Sequence, residues 1–476
     1  MVRYCLPESF DPLFPPVEIS CCTYKFPPFS TFKCERLSVR CPNQTSLTLP
    51  REGSVPSSGK RILFYKRDYV SKLLIRYSTA AVMIFSVLVQ LVLVGKFLDN
   101  SVVSAYAPTA MDASDYTNRA LLWQSEGFYA AFSDASRMPG YPFALLTFQT
   151  IFSSYSNVAI RILQLLLLAV SAGLIKVVLQ RYVPLIFAVI AGALFALLPI
   201  WHFVPILIGE ALTGVITTFA IYFLAKTHDR ELSRSTVLYL SLCVALATYI
   251  KPNNLLVVVP ILGFLIFSKN SNPFKSIPKI VSIVLMLLLP WLVFTSKAQP
   301  GFLGLTTGSG VNSYVGTGMI LDYDQGFLSR SAIKWKVDPK SNPLDSFESA
   351  INATPAEMNS LYLQKSIEIW KKRFWRELGF GLDKVKFAFS ISTNSSFDIL
   401  IGIFNLLAFV AGLVLLKFRD LRPWGIALLL AVATLALQAI VFQADRRFVV
   451  PVLFPFATVC LGLAFRKVTR EFTFGP

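Results

Sequence analysis

The sequence predicts an all-α protein that crosses a membrane many times. Of its 476 residues, 54% are hydrophobic and only 15% are charged, and the mean hydropathy is +0.58. Typical soluble proteins carry about 25% charged residues. The apolar residues also gather into runs of about 20, the length at which a helix spans the hydrocarbon core of a bilayer. Helices are expected because lipid offers no hydrogen-bond partners to an open backbone.

These apolar runs number about ten, and each is predicted to be a transmembrane helix. A further apolar segment, residues 142–154, is too short to span and is predicted to form a half-buried helix at the membrane surface. The ten runs cover roughly residues 75–98, 158–180, 184–208, 210–226, 236–251, 254–268, 277–296, 396–416, 422–441 and 448–466.

Residues 1–60 differ from the rest of the chain. They are rich in Pro, Ser and Thr, lack periodicity and contain five of the seven cysteines. This composition is typical of disorder, and its abrupt change near Lys60 also fits an over-extended translation start. Both interpretations stay open, and neither assigns a function to the segment.

Basic residues predict the orientation of the helices. Lys and Arg cluster just before the first apolar run, which places the N-terminus in the cytoplasm. The net charge of +18 is therefore read as membrane topology rather than as binding to nucleic acid. Two long loops, 99–157 and 297–395, then lie outside the cytoplasm. We divide the chain into a transmembrane catalytic module (61–296), the large outer loop (297–395) and C-terminal helices (396–476).

The first outer loop contains paired carboxylates. Asp112 and Asp115 are three residues apart in a stretch of helical character, so they share one face with Tyr116. Arg119 lies four residues beyond Asp115 and can pair with it, which is the purely structural interpretation. Asp112 has no basic partner nearby in the sequence, so its carboxylate is the stronger candidate for chemistry.

Ionisable residues at membrane depth, or basic residues on the outer face, are costly and mark candidate functional sites. Glu210 interrupts an apolar stretch, although an acid in the first turn of a helix also matches the helix dipole. Lys251 lies at an outer helix end, where a snorkelling side chain is the alternative. Arg446 and Arg447 are suited to bidentate binding of a phosphate or pyrophosphate, and simple binding of lipid headgroups is the alternative. Together these residues predict a carboxylate near a bound phosphate.

The second outer loop has two features. Residues 301–319 are rich in glycine, which fits either backbone binding of an anion or a flexible loop. Residues 355–378 have helical spacing after Thr354 and Pro355, and we expect a helix at the outer membrane surface or packed against the spans. Its interfacial anchors would be Trp370, Phe374 and Trp375.

Motifs for metal or nucleotide binding are missing from the sequence. It has no CxxC pair, no HExxH pattern and no GxxxxGK[ST] loop. We therefore expect no structural metal site. Short cytoplasmic connections also leave no domain to hold a nucleotide sugar, so an activated substrate has to arrive by lipid.

The order of motifs resembles one group of membrane enzymes. Residues 112–142 contain Asp-x-x-x-Tyr, Gly-Phe-Tyr and Arg-x-Pro-Gly-Tyr-Pro. This pattern is similar to the first outer loop of GT-C fold glycosyltransferases, in the bacterial families related to protein O-mannosyltransferases and aminoarabinose transferases (glycosyltransferase families 39 and 83). The resemblance continues, with less detail, through Pro199 to Glu210, the segment around Lys251, Asn312 to Gly316, and the sequence RRFVVP.

The resemblance implies a mechanism and a set of roles. The donor would be a polyprenyl-phosphate sugar, and the acceptor, a glycan, lipid or protein, would lose a proton to Asp112, with Asp115 as the alternative base. The sugar would transfer with inversion at the extracytoplasmic face of a bacterial inner (plasma) membrane. No cofactor is required, but a divalent cation stays possible because Glu210 stands alone where some relatives have two acids. Substrate and phosphate binding would fall to Tyr116, Arg137, Glu210, Lys251, Asn312, Tyr314, Arg446 and Arg447.

Two other functions fit a chain with this many spans. A transporter or flippase of lipid-linked saccharides could use the same basic residues, but the two halves show no inverted repeat. A polymerase or ligase of lipid-linked saccharides would centre its site on arginine and histidine in the late loop, and that loop has no histidine. The acidic first loop therefore favours the transferase.

Overall fold

The computed structural model describes residues 58–100, 111–198, 200, 203–228, 232–269, 272–318, 353–389, 396–442 and 446–473. Within these ranges the chain forms helices and turns and no strand, as predicted. The chain divides into two units, Met1–Phe64 and Tyr65–Pro476, and the candidate site described below lies in the second. The expectations for residues 1–57 lie outside the described residues.

Fifteen α-helices, numbered here in chain order, fall within the described ranges. Short 3-10 helices at Ser153–Tyr155 and Pro252–Val257 connect some of them. The helices are α1 Ser58–Asn100, α2 Met111–Glu126, α3 Phe128–Phe132, α4 Gly140–Phe152, α5 Ser156–Leu179, α6 Leu185–Leu197, α7 Glu210–Thr227, α8 Arg234–Ile250, α9 Val258–Phe267, α10 Pro273–Ala298, α11 Gly308–Gly318, α12 Pro355–Ala388, α13 Ser396–Leu416, α14 Arg422–Val441 and α15 Arg446–Thr473.

Six segments of the described chain are long and apolar enough to cross a membrane. The helices at Leu185–Leu197, Arg234–Ile250 and Pro252–Phe267 are apolar but shorter. The prediction of a polytopic helical membrane protein is confirmed, while the number ten stays a prediction. The six segments are Leu73–Gly95, Gly140–Leu179, Pro273–Ala298, Ile399–Leu416, Arg422–Val441 and Phe448–Thr469.

The segment Gly140–Leu179 contains two helices. It has 40 residues, which as one helix would be about 60 Å long, twice the thickness of the hydrocarbon core. The 3-10 turn at Ser153–Tyr155 separates α4 from α5, and Ser153 has a positive φ of 46°. The short helix predicted at 142–154 therefore exists as α4, distinct from the span that follows it.

The late helix α12 begins where the sequence predicts. The Thr354 side chain accepts a hydrogen bond from the backbone N–H of Glu357, and the Glu357 carboxylate accepts one from the Thr354 backbone, which completes a capping box. The helix continues ten residues beyond the predicted end, to Ala388. Phe374 and Trp375 are exposed, as membrane-surface anchors would be, whereas the C-terminal part packs against α14.

Aromatic side chains attach the first outer loop to α10. The Phe128 ring centroid lies 4.8 Å from that of Phe294, and the Phe132 centroid lies 6.1 Å from that of Trp291. Trp123 on α2 packs against Phe128 at 5.0 Å. These contacts hold α2 and α3 against a membrane-length helix, so the acidic face of α2 has a defined position.

Candidate functional site

One arginine joins the two candidate acids of α2. Asp112 and Asp115 lie on one face of the helix, and Arg137 reaches them from the turn before α4. Its Nη2 donates to Asp112 Oδ1 at 2.8 Å, and its Nε donates to Asp115 Oδ2 at 2.6 Å. The sequence shows no basic partner near Asp112; the fold supplies one 25 positions away.

A second arginine builds the turn that presents Arg137. Arg119 Nε donates to Asp115 Oδ1 at 3.2 Å, which confirms the predicted pair. Its two terminal nitrogens hold Asp134 in bidentate fashion at 3.0 and 2.7 Å, and they also donate to the Ala131 carbonyl and to Ser136 Oγ. Residues 131–137 are thereby shaped around one guanidinium.

The charges of this network affect the pKa values of its members. Burial by itself would raise the pKa of Asp134, but Arg119 and the hydrogen bonds from Ser136 lower it overall. Burial would lower the pKa of Arg137, but Tyr116, Asp112 and Asp115 raise it. Both groups therefore stay ionised at neutral pH, and the ion pairs persist.

Tyr116 and Tyr141 extend the network towards α5. The guanidinium carbon of Arg137 lies 5.5 Å from the centroid of the Tyr116 ring. Tyr116 meets Tyr141 edge to face, with centroids 5.3 Å apart. The Tyr141 hydroxyl accepts a hydrogen bond of 2.9 Å from Gln164 Nε2 on α5. Tyr141 belongs to the Pro-Gly-Tyr-Pro sequence, which forms the start of α4, but sequence reasoning assigned it no role.

Two glycines allow this packing. A Cβ on Gly140 would lie 2.6 Å from the carbonyl oxygen of Tyr249, so α4 can begin against the end of α8 only without a side chain there. A Cβ on Gly209 would overlap the side chain of Ile250, the last residue of α8, and would also lie beside the Tyr141 ring at an ordinary contact distance of 3.7 Å. Tyr141 thus lies between Tyr116 and the start of α7. It connects the Asp112–Arg137–Asp115 network to a second group of charged residues, which begins with Glu210 on α7.

The second charged group is an ion pair. Glu210 is the first residue of α7, and Lys251 follows the last residue of α8. Lys251 Nζ lies 2.7 Å from Glu210 Oε1 and 4.2 Å from the centroid of Phe448 on α15. Glu210 does occupy the helix-dipole position, but its carboxylate also has a charged partner. Neither the helix dipole nor snorkelling by itself explains why Glu210 and Lys251 lie side by side.

The loop before Glu210 has features that sequence reasoning missed. Leu207 is fully buried and has a positive φ of 55°, a conformation that is costly for a side chain other than glycine. Arg161 on α5 donates from Nε and Nη2 to the carbonyl of Pro205 at 3.1 and 2.8 Å. A buried arginine on an apolar helix was the signal that could have indicated this contact.

The late loop is bonded directly to the turn that carries Arg137. Thr307 donates from its backbone to Ala135 O and from its hydroxyl to Asp134 O, at 3.0 and 2.8 Å. The Thr306 hydroxyl donates to Ser136 O at 2.8 Å. Residues from both long loops predicted to be extracytoplasmic therefore form one structure.

The glycine-rich stretch is irregular over residues 301–307 and helical after them, and anion binding by its backbone stays a prediction. Gly308–Gly318 forms α11, and its glycines allow close packing, because a Cβ on Gly310 would overlap the carbonyl of Asn359. Asn312 is exposed. Tyr314 packs against Tyr362 on α12, with centroids 5.3 Å apart, and burial raises the pKa of Tyr314.

The remaining predicted residues are Arg446 and Arg447. They open α15, but their side chains lie outside the described residues. Phe448 follows them and contacts Lys251, so the start of α15 lies beside the Glu210–Lys251 pair. Among the described residues, no group of three or more His, Cys, Asp or Glu side chains is placed to hold a metal ion.

A protein-family model matches part of the chain. Residues 136–294 match the family described as dolichyl-phosphate-mannose-protein mannosyltransferase. The matched segment includes Arg137, Tyr141, Glu210 and Lys251, but it begins after Asp112. No curated protein sequence matches the chain.

A solved structure with a similar fold is the archaeal oligosaccharyltransferase AglB from Archaeoglobus fulgidus, in complex with an inhibitory peptide and a dolichol-phosphate. The TM-score is 0.51 at 12% sequence identity, and the similarity covers 84% of this chain and 52% of that one. This chain thus spans about half the length of AglB. The chain is therefore a polytopic helical membrane protein whose fold is similar to that of AglB, and its residues 136–294 are similar to a mannosyltransferase family.

Proposed function

We propose that the protein is a membrane glycosyltransferase that moves a sugar from a polyprenyl-phosphate donor to an acceptor on the extracytoplasmic side. The observation that carries the proposal is the Asp112–Arg137–Asp115 arrangement, in which two carboxylates are held by one guanidinium directly after the first span. The match to a mannosyltransferase family and the likeness to AglB support the same class of reaction.

Asp112 is proposed as the general base. The acceptor hydroxyl or amine transfers its proton to the Asp112 carboxylate as its oxygen or nitrogen attacks the anomeric carbon. The bond from that carbon to the phosphate oxygen breaks, and its electron pair leaves with the lipid phosphate. Attack opposite the leaving group inverts the anomeric centre. Both oxygens of Asp115 already serve in ion pairs that build the turn, so we assign Asp115 to positioning.

The lipid phosphate is proposed to bind near Lys251 and the start of α15. A phosphate leaves as a stable anion, so it needs nearby positive charge more than a proton. Lys251 supplies one charge and is oriented by Glu210 at 2.7 Å, and Arg446 and Arg447 lie next in sequence to Phe448, which Lys251 contacts. Tyr116 and Arg137 would line the acceptor side, and Asn312 and Tyr314 stay candidates for substrate binding.

The test is transfer by the purified protein from a panel of radiolabelled polyprenyl-phosphate monosaccharides. Asp112→Asn is expected to lower the transfer rate at least about 100-fold, the scale of general-base catalysis. The matched control is Asp383→Asn, which removes a carboxylate from the exposed Lys386 pair on α12 and is expected to keep the wild-type rate. Equal rates for Asp112→Asn and wild type would exclude Asp112 as the base. No transfer from any donor would favour a transporter, or a polymerase or ligase of lipid-linked saccharides.

A further inference from the structure

Lys384 on α12 is an unusual lysine. Its side chain is 1% exposed, although lysine is almost never fully buried without a partner. Its Nζ donates to three backbone carbonyls, those of Gly316, Ile440 and Phe442, at 2.9, 2.8 and 3.0 Å. One of these carbonyls is on α11, and the other two are at the end of α14.

The three contacts match the chemistry of an ammonium group. A lysine ammonium has three N–H donors and no acceptor, so each donor has one carbonyl. The last carbonyls of a helix have no partner within the helix and favour a nearby cation. The end of α14 is therefore capped by a side chain from another helix, and the same side chain holds α11.

Gly316 provides a second, independent observation at the same place. A Cβ on Gly316 would lie 2.8 Å from the carbonyl carbon of Phe442 and 3.1 Å from the Val441 oxygen. The backbone of α11 thus lies directly against the residue that follows α14, and Lys384 donates to both sides of this contact. Arg446 begins α15 four residues after Phe442.

We propose that Lys384 is a positioning residue for the phosphate side of the site: its ammonium joins α11 to the end of α14 and so fixes where α15 begins with Arg446 and Arg447. The inference rests on the proposed function, since it concerns the binding of the donor's lipid phosphate. Lys384 is assigned no contact with the phosphate. It acts through the backbone of residues 440–442.

The charge of Lys384 gives the proposal a pH signature. Burial lowers the pKa of Lys384 to about 8, and Glu377 on the same helix opposes that shift. Among the described residues, α11 adds only the phenol of Tyr314, and α14 has no ionisable residue after Arg422. A neutral amine has two N–H donors, so one carbonyl loses its partner as the pH rises through about 8.

Unfolding would give the opposite pH trend. Because the pKa of Lys384 is lower in the folded protein than its ordinary value, the unfolded chain binds more protons between about pH 8 and 10. This group therefore makes the fold more stable, not less, as the pH rises through that window. If polyprenyl-phosphate binding weakens as the pH rises through that window, the cause is therefore a change in the position of the phosphate site and not loss of the fold.

The experiment compares Lys384→Met with Lys176→Met. Lys176 is also fully buried and donates three hydrogen bonds, to Ile75 O, Thr79 Oγ1 and Gln180 Oε1, but at the far end of α5. The readouts are the melting temperature, the dissociation constant for a polyprenyl phosphate without sugar between pH 6.5 and 9.5, and the KM values for donor and acceptor.

We expect Lys384→Met to weaken polyprenyl-phosphate binding about 10-fold at pH 7, or about 1.4 kcal/mol. The donor KM should rise while the acceptor KM stays unchanged, and the decline in phosphate affinity above pH 8 should disappear. Lys176→Met should lower the melting temperature and keep the wild-type affinity. If Lys384→Met binds polyprenyl phosphate as wild type does, the proposal is overturned, and an equal loss of affinity in Lys176→Met would also overturn it because the effect would not be specific to Lys384.

Other outcomes are also decisive. If Lys384→Met does not fold, Gly316→Ala replaces it, because the added methyl separates α11 from Phe442 while Lys384 stays. Unchanged affinity of Gly316→Ala for polyprenyl phosphate would overturn the proposal, and weaker affinity would support it. If the wild type binds polyprenyl phosphate but transfers no sugar, the proposed function fails. The ratio of the wild-type and Lys384→Met affinities for polyprenyl phosphate still tests the role of Lys384. If the wild type does not bind polyprenyl phosphate, both proposals fail.

Discussion

Arg137 and Asp112 are 25 positions apart in the chain, yet Arg137 Nη2 lies 2.8 Å from Asp112 Oδ1. The same guanidinium uses its Nε to hold Asp115. A planar guanidinium can serve two carboxylates in fixed directions, whereas a lysine ammonium is a single point of charge. The orientation of the proposed base therefore depends on a residue from a different turn.

Arg137→Lys should separate charge from geometry. The lysine keeps the positive charge but cannot reach both carboxylates at once, so Asp112 loses its defined orientation. We expect sugar transfer to fall roughly 100-fold, because a small misplacement of a catalytic group costs a rate factor of this order. Arg422→Lys, at an exposed position that opens α14, is the control. Equal transfer by Arg137→Lys and wild type would show that charge alone suffices.

Tyr141 should tolerate loss of its hydroxyl better than loss of its ring. Tyr141→Phe removes one hydrogen bond, with Gln164, and should cost about 1 kcal/mol of stability. Tyr141→Ala removes the ring between Tyr116 and Gly209 and should cost roughly 3–5 kcal/mol. Denaturant titration of both variants, with transfer rates measured beside it, checks the order. The reverse order would show that the hydroxyl, not the ring, connects the two charged groups.

The Glu210–Lys251 pair should show strong coupling. Each side chain is mostly buried, so removing either partner leaves the other charge without compensation. Glu210→Gln and Lys251→Met should each be strongly destabilising, and the double variant should lose less than the sum of the two. A double-mutant cycle on unfolding free energies should give an interaction of at least about 1 kcal/mol. Simple additivity would mean that the pair does not stabilise the protein.

Asp134 should make the fold sensitive to acid. Its pKa in the folded protein is lower than the ordinary value, so its contribution to stability is present above about pH 4 and is lost as the pH falls through the folded pKa. Asp134→Asn should therefore melt at a lower temperature than wild type at pH 7, and the difference should shrink below about pH 4. A difference that stayed constant with pH would point to a loss of packing rather than of charge.

Part of this site was predictable because its signals are local. The i, i+3 spacing of Asp112 and Asp115, the i, i+4 pair with Arg119 and the capping box at Thr354 each depend on a few consecutive residues. The structure confirms the Asp115–Arg119 pair and the start of α12. The helix over residues 308–318 of the glycine-rich stretch was not predicted, because glycine there serves close helix packing, which depends on the neighbouring helices.

The sequence by itself determined the class of this protein: helical, polytopic and with acids after the first span. The physical reason is that a lipid solvent requires runs of apolar residues in helices, and such runs are visible along the chain. Only the tertiary structure decided which residues meet. Arg137 with Asp112, Tyr141 with Tyr116, and Lys384 with Gly316 join residues 25 to 68 positions apart, and such contacts arise from helix packing that no local periodicity encodes.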